Sequence, residues 1–254
     1  MSKKLFLGGL TALLVVSACT SHRYQLVGVE RTRIVIDSRY DTATDEKAAQ
    51  FLAPFKRVND SIMNPVIGSV AHDMRVDRPE SDLSNLMSDI LVWAAAEYGE
   101  QPVLGVYNMG GIRADLTRGI VTYGDILDMS PFDNKICFLT LTGEHLLELF
   151  EQIVAAKGEG VSKGVELVST KDYKMVSARL HGQPVDPKGS YRVVTNDFLL
   201  TGNDKMGAFL KGTDVRAPSE STNNVRHIVV RYFRDKASRG EVVDAQVEGR
   251  FRFM

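Results

Sequence analysis

The chain is short of the residues that nucleophilic, redox or metal chemistry needs. It holds two cysteines, Cys19 and Cys137. Cys19 is taken up by the leader described below, so Cys137 stands alone and no intrachain disulfide can form. Cys137 lies in the apolar, strand-like run 135–141 with no His or Asn recognisably arranged as its partner, which reads as a buried, inert thiol. No Gly-x-Ser-x-Gly elbow is present to support a serine nucleophile. The strings Asp-x-His and Gly-Asn-His-Asp/Glu, which supply ligands to a two-metal centre, are missing as well. His22, His72, His145, His181 and His227 are scattered without ligand spacing and read as surface or capping residues. Charge of one sign is also lacking: 31 Lys and Arg stand against 32 Asp and Glu, a net of −1. That balance excludes the basic field with which a protein tracks a nucleic-acid polymer. There is no internal repeat and no low-complexity tract.

What is there begins with a leader. Lys3 and Lys4 precede an apolar run from Leu5 to Val16, and Val16-Ser17-Ala18-Cys19 resembles the lipobox of bacterial lipoproteins. The run is shorter than the roughly 20 residues that span a bilayer. The expectation is a lipoprotein signal peptide over 1–18, with Cys19 lipidated as a stable membrane anchor. Thr20 follows the cysteine, and the absence of an acidic residue there points to the outer membrane, facing the periplasm.

Beyond the leader, 44% apolar residues predict one well-cored domain over 65–254, preceded by an N-terminal extension and linker helix over 19–64. Residues 23–37 alternate as strands do. Residues 44–63 space Ala48, Phe51, Leu52 and Phe55 as an amphipathic helix, in which Pro54 predicts a kink or two shorter helices. Helices are predicted over 83–98, with Leu86, Ile90, Leu91 and Ala94 facing the core, and over 142–156, with Thr142 as N-cap and Glu144 and Glu148 toward solvent. Strands follow at 165–169, 174–180 and 191–195, then a helix near 222–237 and a last strand near 245–253. The basic stretch 231–239 reads as a solvated helix face. Helices and strands interleave without βαβ regularity, so the fold class is α+β with a mixed sheet.

Three loops carry chemistry. Residues 107–115, Tyr-Asn-Met-Gly-Gly-Ile-Arg-Ala-Asp, follow an apolar strand. Paired glycines let the backbone approach a ligand closely, while Asn108 offers an amide and Arg113 a planar cationic fork suited to phosphate. Residues 130–134 and 195–204 each place a phenylalanine, Phe132 and Phe198, among turn residues. Such a ring serves either as a lid on the local core or as half of a stacking site. Two of them can hold a planar base, a contact worth roughly 1–3 kcal/mol per base. Asp204 could accept bonds from sugar hydroxyls or simply form the turn.

Taken in order, Glu80-Ser81-Asp82-Leu83-Ser84-Asn85-Leu86, Asn108-Met109-Gly110-Gly111-Ile112-Arg113, Ile120-Val121-Thr122-Tyr123-Gly124-Asp125, Pro131-Phe132, Leu141-Thr142-Gly143, the run 191–198 and Gly202-Asn203-Asp204 resemble the C-terminal, substrate-recognition domain of the 5'-nucleotidase family. The resemblance covers residues 65 to 210. It implies that Phe132 and Phe198 sandwich the nucleobase and that Asn108 bonds its edge. Asp204 would hold the ribose, Arg113 would meet the phosphates with Gly110 and Gly111 in its loop, and Gly164 would bring backbone close to the base. The sequence departs from the family pattern at Met109 and Asn203, where the family has glycine, and at Asp77, where it has a second phosphate-binding arginine. Arg75 and Arg78 are both available as substitutes.

The resemblance further implies that hydrolysis belongs to a large N-terminal metallophosphatase domain. The short stretch before residue 65 leads us to expect that domain on a separate chain. Divalent metals are then expected only in that partner, with no cofactor and no catalytic residue here. Three functions fit: the recognition half of a split 5'-nucleotidase, a free-standing nucleotide- or nucleoside-binding lipoprotein, or a structural lipoprotein whose pocket has decayed.

Overall fold

The computed structural model describes residues 25–40 and 45–254. The chain divides into two compact units, Met1–Phe51 and Leu52–Met254. In the first, residues 25–37 form neither helix nor strand and are almost wholly exposed. This corrects the strands expected over 23–37 as far as they are described, residues 23 and 24 lying outside the described residues. A strand persists only where a neighbouring edge takes up its N–H and C=O groups, and alternation without such an edge leaves the backbone to water. The leader over 1–18, the lipidation site at Cys19 and the helix start at Thr44 lie outside the described residues. Helix α1 (Glu46–Met63) is a single helix with Pro54 inside it, so it does not break into two shorter helices. Its residues Phe51, Leu52 and Phe55 are exposed.

After α1, the second unit continues with strand β1 (Val66–Val70) and helix α2 (Asp82–Ala94). Ser81 caps this helix: its hydroxyl accepts from the Ser84 N–H while the Ser84 hydroxyl accepts from the Ser81 N–H, which satisfies two donors reciprocally. A 3₁₀ turn extends it to Tyr98, ended by Gly99 at φ 66°, a left-handed conformation that favours glycine. Then come β2 (Leu104–Tyr107), β3 (Gly119–Thr122), α3 (Tyr123–Met129), β4 (Ile136–Thr142), α4 (Gly143–Ala155), β5 (Gly160–Val161), β6 (Val165–Ser169), β7 (Met175–Leu180), β8 (Gln183–Pro184) and β9 (Ser190–Asn196). The short helix α5 (Asp197–Leu200), β10 (Thr213–Arg216), helix α6 (Val225–Ser238) and β11 (Phe251–Phe253) complete it.

The five-stranded sheet runs β10-β4-β9-β2-β5. Only its β2–β9 pair is parallel, so the sheet is mixed as expected. Both faces are covered. On β4, Ile136 and Phe138 join one core with α2 and α6, while Leu139 and Leu141 join a second with α4. A sheet buried on both sides reads as a continuous apolar run, which is why 136–141 lacks strand-like alternation. A four-stranded sheet, β11-β6-β7-β8, and the antiparallel pair β1–β3 flank it. Burial pushes the Cys137 thiol up to about 12, which leaves it protonated and inert. Along the basic stretch 231–239, Arg231 pairs with Glu97, Lys236 with Glu241, and Arg239, just past α6, with Asp235 and Glu241, so three of its four basic residues have acidic partners.

Candidate functional site

The parallel strands β2 and β9 end side by side, and the loops that follow them meet the loop between α3 and β4. Asn108 and Gly110 from the first loop, Phe132 and Asn134 from the third, and Phe198 and Asp204 from the second line one cleft of about 160 Å³. That is smaller than the roughly 300–1,000 Å³ that encloses a drug-sized ligand. The cleft therefore admits one flat ring and leaves the remainder of a ligand outside. Phe132 is 46% exposed, and Phe198 is half-buried against the second core.

Each loop is braced from behind. Asn108 is buried, and its Oδ1 accepts from Asn196 Nδ2 at 2.7 Å. Asn196 in turn caps α5, accepting from the Leu199 N–H at 3.0 Å. One buried residue thus orients the Asn108 amide and starts the helix that carries Phe198. The two glycines have different duties. A Cβ on Gly111 would come within 2.9 Å of the Asn108 amide, whereas one on Gly110 would meet nothing within 4 Å. Gly111 makes room for the Asn108 side chain, and Gly110 faces open space at the cleft.

Behind the same loop lies a carboxylate that the sequence reading missed. Glu159 is buried, accepts from the Met109 N–H at 2.5 Å, and pairs with Arg78 Nη2 at 2.8 Å. Burial pushes its carboxyl above the ordinary glutamate range, against the lowering effect of the Met109 N–H and the Arg78 guanidinium. Arg78 also donates to the carbonyls of Ala156 and Gly158. Its guanidinium is engaged by the protein, while Arg75 is exposed and gives its backbone N–H to Asp82. Arg113 is exposed and reaches the Gly110 carbonyl through Nη1 at 3.3 Å, which sets its cationic fork at the rim and outside the cleft lining.

The two bulky departures do not fill the cleft. Met109 is 3% exposed and counts among the buried apolar residues. Asn203 folds back, donating from Nδ2 to the Phe198 carbonyl and to Thr201 Oγ1, both at 3.0 Å, so it props the loop of Phe198. Asp204 stands at φ 54° within that turn. Gly164 is not brought to the cleft. Its φ of +94° and a virtual Cβ 2.3 Å from the His181 ring fit it to a turn, and His181 Nε2 bonds the Val103 carbonyl at 2.9 Å, at the start of β2. Asn108 follows the opposite end of that strand. Asn134 is the lining residue passed over in the sequence, although the string 130–134 contains it. Among the described residues no three His, Cys, Asp or Glu side chains gather as a metal site.

A family model described as the C-terminal domain of 5'-nucleotidase matches residues 66–211. The cell wall protein Lmo0130 of Listeria monocytogenes is 28% identical over 216 residues, covering 75% of this chain and 27% of that protein. The trifunctional nucleotide phosphoesterase protein YfkN of Bacillus subtilis is 27% identical over 231 residues, covering 83% of this chain and 15% of that one. Among solved structures, the 5'-nucleotidase precursor of Thermus thermophilus shares the fold, with a TM-score of 0.70 at 23% identity over 83% of this chain and 43% of its own. The chain thus spans less than a third of the length of these two curated relatives.

Proposed function

Because the chain belongs to the 5'-nucleotidase family, through the C-terminal domain matched by residues 66–211, we propose that it is the nucleotide-recognition half of a split 5'-nucleotidase whose metal-bearing domain is a separate chain. The observation that carries this reading is the convergence of Asn108, Phe132, Asn134, Phe198 and Asp204, far apart in sequence, on one small cleft. A base enters between the two rings, and the amides of Asn108 and Asn134 meet its edge. Asp204 accepts from the ribose hydroxyls, and Arg113 at the rim receives the phosphate with its forked donors. The inward burial of Met109 and the bracing bonds of Asn203 favour a working cleft over a decayed one.

Hydrolysis of a phosphate ester needs an activated hydroxide and neutralisation of charge on the phosphoryl group, both of which a two-metal centre supplies. Arg113 can hold a phosphate but generates no nucleophile. This chain's share is recognition and orientation, and no step of hydrolysis is assigned to its residues. The same proposal includes a lipoprotein leader over 1–18, an acyl anchor on Cys19 and an extension to residue 64. It sets the domain over 65–254 on the outer membrane, facing the periplasm.

Calorimetric titration with nucleosides and nucleoside monophosphates tests the reading. Phe132→Ala and Phe198→Ala should each weaken binding by about 1–3 kcal/mol with the fold intact. Arg113→Ala should weaken nucleotides more than nucleosides. Phosphate release is expected only when a metallophosphatase chain and divalent metal are added. Unchanged affinity in both phenylalanine variants returns the rings to a lid on the core. Turnover by the chain alone overturns the split arrangement, and measurable binding that no partner converts to turnover favours a free-standing binding lipoprotein.

A further inference from the structure

We infer that Arg226 is a positioning residue for the Phe132 side of the cleft; this rests on the reading that Phe132 and Phe198 flank a base. Arg226 lies beyond the residues that match the family model, in the first turn of α6. A cation there runs against the helix dipole, and that turn holds no acidic residue. The side chain is nonetheless 11% exposed, folded inward. Something must compensate an arginine so placed.

The compensation comes from the loop that carries Phe132. Arg226 Nη1 donates to the carbonyls of Ser130, at 3.3 Å, and Pro131, at 2.9 Å, and Nη2 donates to Asp133 Oδ1 at 2.6 Å. Nε is buried with no acceptor, so the side-chain bonds of Arg226 among the described residues all end on residues 130–133. The neighbouring residues of α6 fasten the same loop. Asn224 Nδ2 donates to Asp133 at 3.1 Å, and the Val225 N–H donates to the Asn134 carbonyl at 2.8 Å. Phe132, 46% exposed, has too little packing of its own to fix its ring. The backbone on either side of it sets where the ring stands, and Arg226 holds that backbone with a rigid fork. One guanidinium thus connects the last long helix of the chain to the backbone that carries the ring.

The test is a double-mutant cycle on the whole chain, with adenosine, guanosine, cytidine and uridine 5'-monophosphates as probes. Phe132→Ala should weaken the best-bound probe about 5- to 150-fold, the range of base stacking. Arg226→Ala should weaken it by no more than that, because it acts through the ring, and should cause no further loss in the Phe132→Ala background. Arg226→Lys should fall between wild type and Arg226→Ala, since it keeps the charge without the fork. Asp133→Ala removes one end of the brace from a side chain that is 72% exposed. It opens no cavity, and Arg226 keeps the Ser130 and Pro131 carbonyls as acceptors, so it should fold and reproduce part of the loss even where Arg226→Ala does not fold. Hydrogen exchange over 130–135 should rise in Arg226→Ala and Asp133→Ala while the rest of the domain keeps its protection. Equal losses in both backgrounds, or undiminished binding in Arg226→Ala and Asp133→Ala while Phe132→Ala binds weakly, would overturn the inference alone. A wild-type chain that binds none of the four probes overturns the base-binding reading and takes the inference with it.

Discussion

Glu159 shows how a single side chain sets a condition on the cleft. Its carboxyl is 1% exposed and holds the Met109 N–H, so its proton bears on the loop that presents Asn108 and Gly110. Burial raises its pKa above the ordinary value of 4.5. Between that value and the higher folded one, the folded chain keeps a proton that the unfolded chain has released. Folding stability from this group is therefore full below the ordinary value and is lost as pH rises through the folded pKa. Glu159→Gln stays neutral throughout and escapes that loss. Denaturant titrations from about pH 4 to about pH 8 should show the variant gaining on wild type as pH rises from the ordinary glutamate value, with a constant gap above the folded pKa. A gap that does not change with pH would show that Glu159 has the same pKa in the folded and unfolded chain. The cycle around Arg226 is a residue-scale test of the same kind, applied to the opposite wall of the cleft.

At the scale of elements, the junction of β4 and α4 shows which glycine the fold depends on. Gly143 begins α4, and a Cβ built on it falls 1.8 Å from the Asp186 carbonyl oxygen. The Gly143 and Glu144 N–H groups, orphan donors of the helix start, bond the carbonyls of Gly189 and Pro187 at 2.9 and 3.0 Å. Gly143→Ala must push that loop away, and it should cost about 1–3 kcal/mol or more through overpacking and lost bonds. A urea unfolding midpoint reads it, with Gly110→Ala as a control whose midpoint should stay put, since its Cβ has open space. Equal midpoints for Gly143→Ala and wild type would mean that the loop yields freely. The elements themselves were legible where one face is buried: α2, α4, β6, β7 and β9 lie close to the spans that apolar spacing predicts. Residues 25–37 were misread because alternation supplies no partner edge, and the last strand shrank to Phe251–Phe253 because only that stretch finds β6. The cleft was legible through its loop residues. Gly164 was misassigned because a string in sequence does not say which end of β2 it meets, and Glu159, Asn134 and Arg226 escaped because their roles arise from contacts with distant segments.

For the whole molecule, the proposed acyl anchor on Cys19 has a rival in electrostatic adsorption to a membrane. No helix among the described residues is long and apolar enough to cross one. The net charge is −1, and Arg231, Lys236 and Arg239 of the basic stretch at α6 are paired with acidic side chains. Anionic headgroups attract a protein by about 1 kcal/mol per basic residue near the surface. On the proposal made above, attachment rests on hydrocarbon at Cys19. Acyl anchoring and electrostatic adsorption respond oppositely to salt: screening at about 1 M shortens the Debye length to about 3 Å and releases adsorbed protein, but leaves buried CH₂ groups untouched. Wild-type protein should remain with the membrane fraction through a high-salt wash and be extracted by detergent. Cys19→Ser should abolish the acyl mass and appear as soluble protein or as unprocessed precursor, with nucleotide affinity unchanged because the cleft lies within the matched domain. Release of wild type by salt alone, or a mature chain without acyl mass, would remove the anchor from the proposal and leave the recognition half intact.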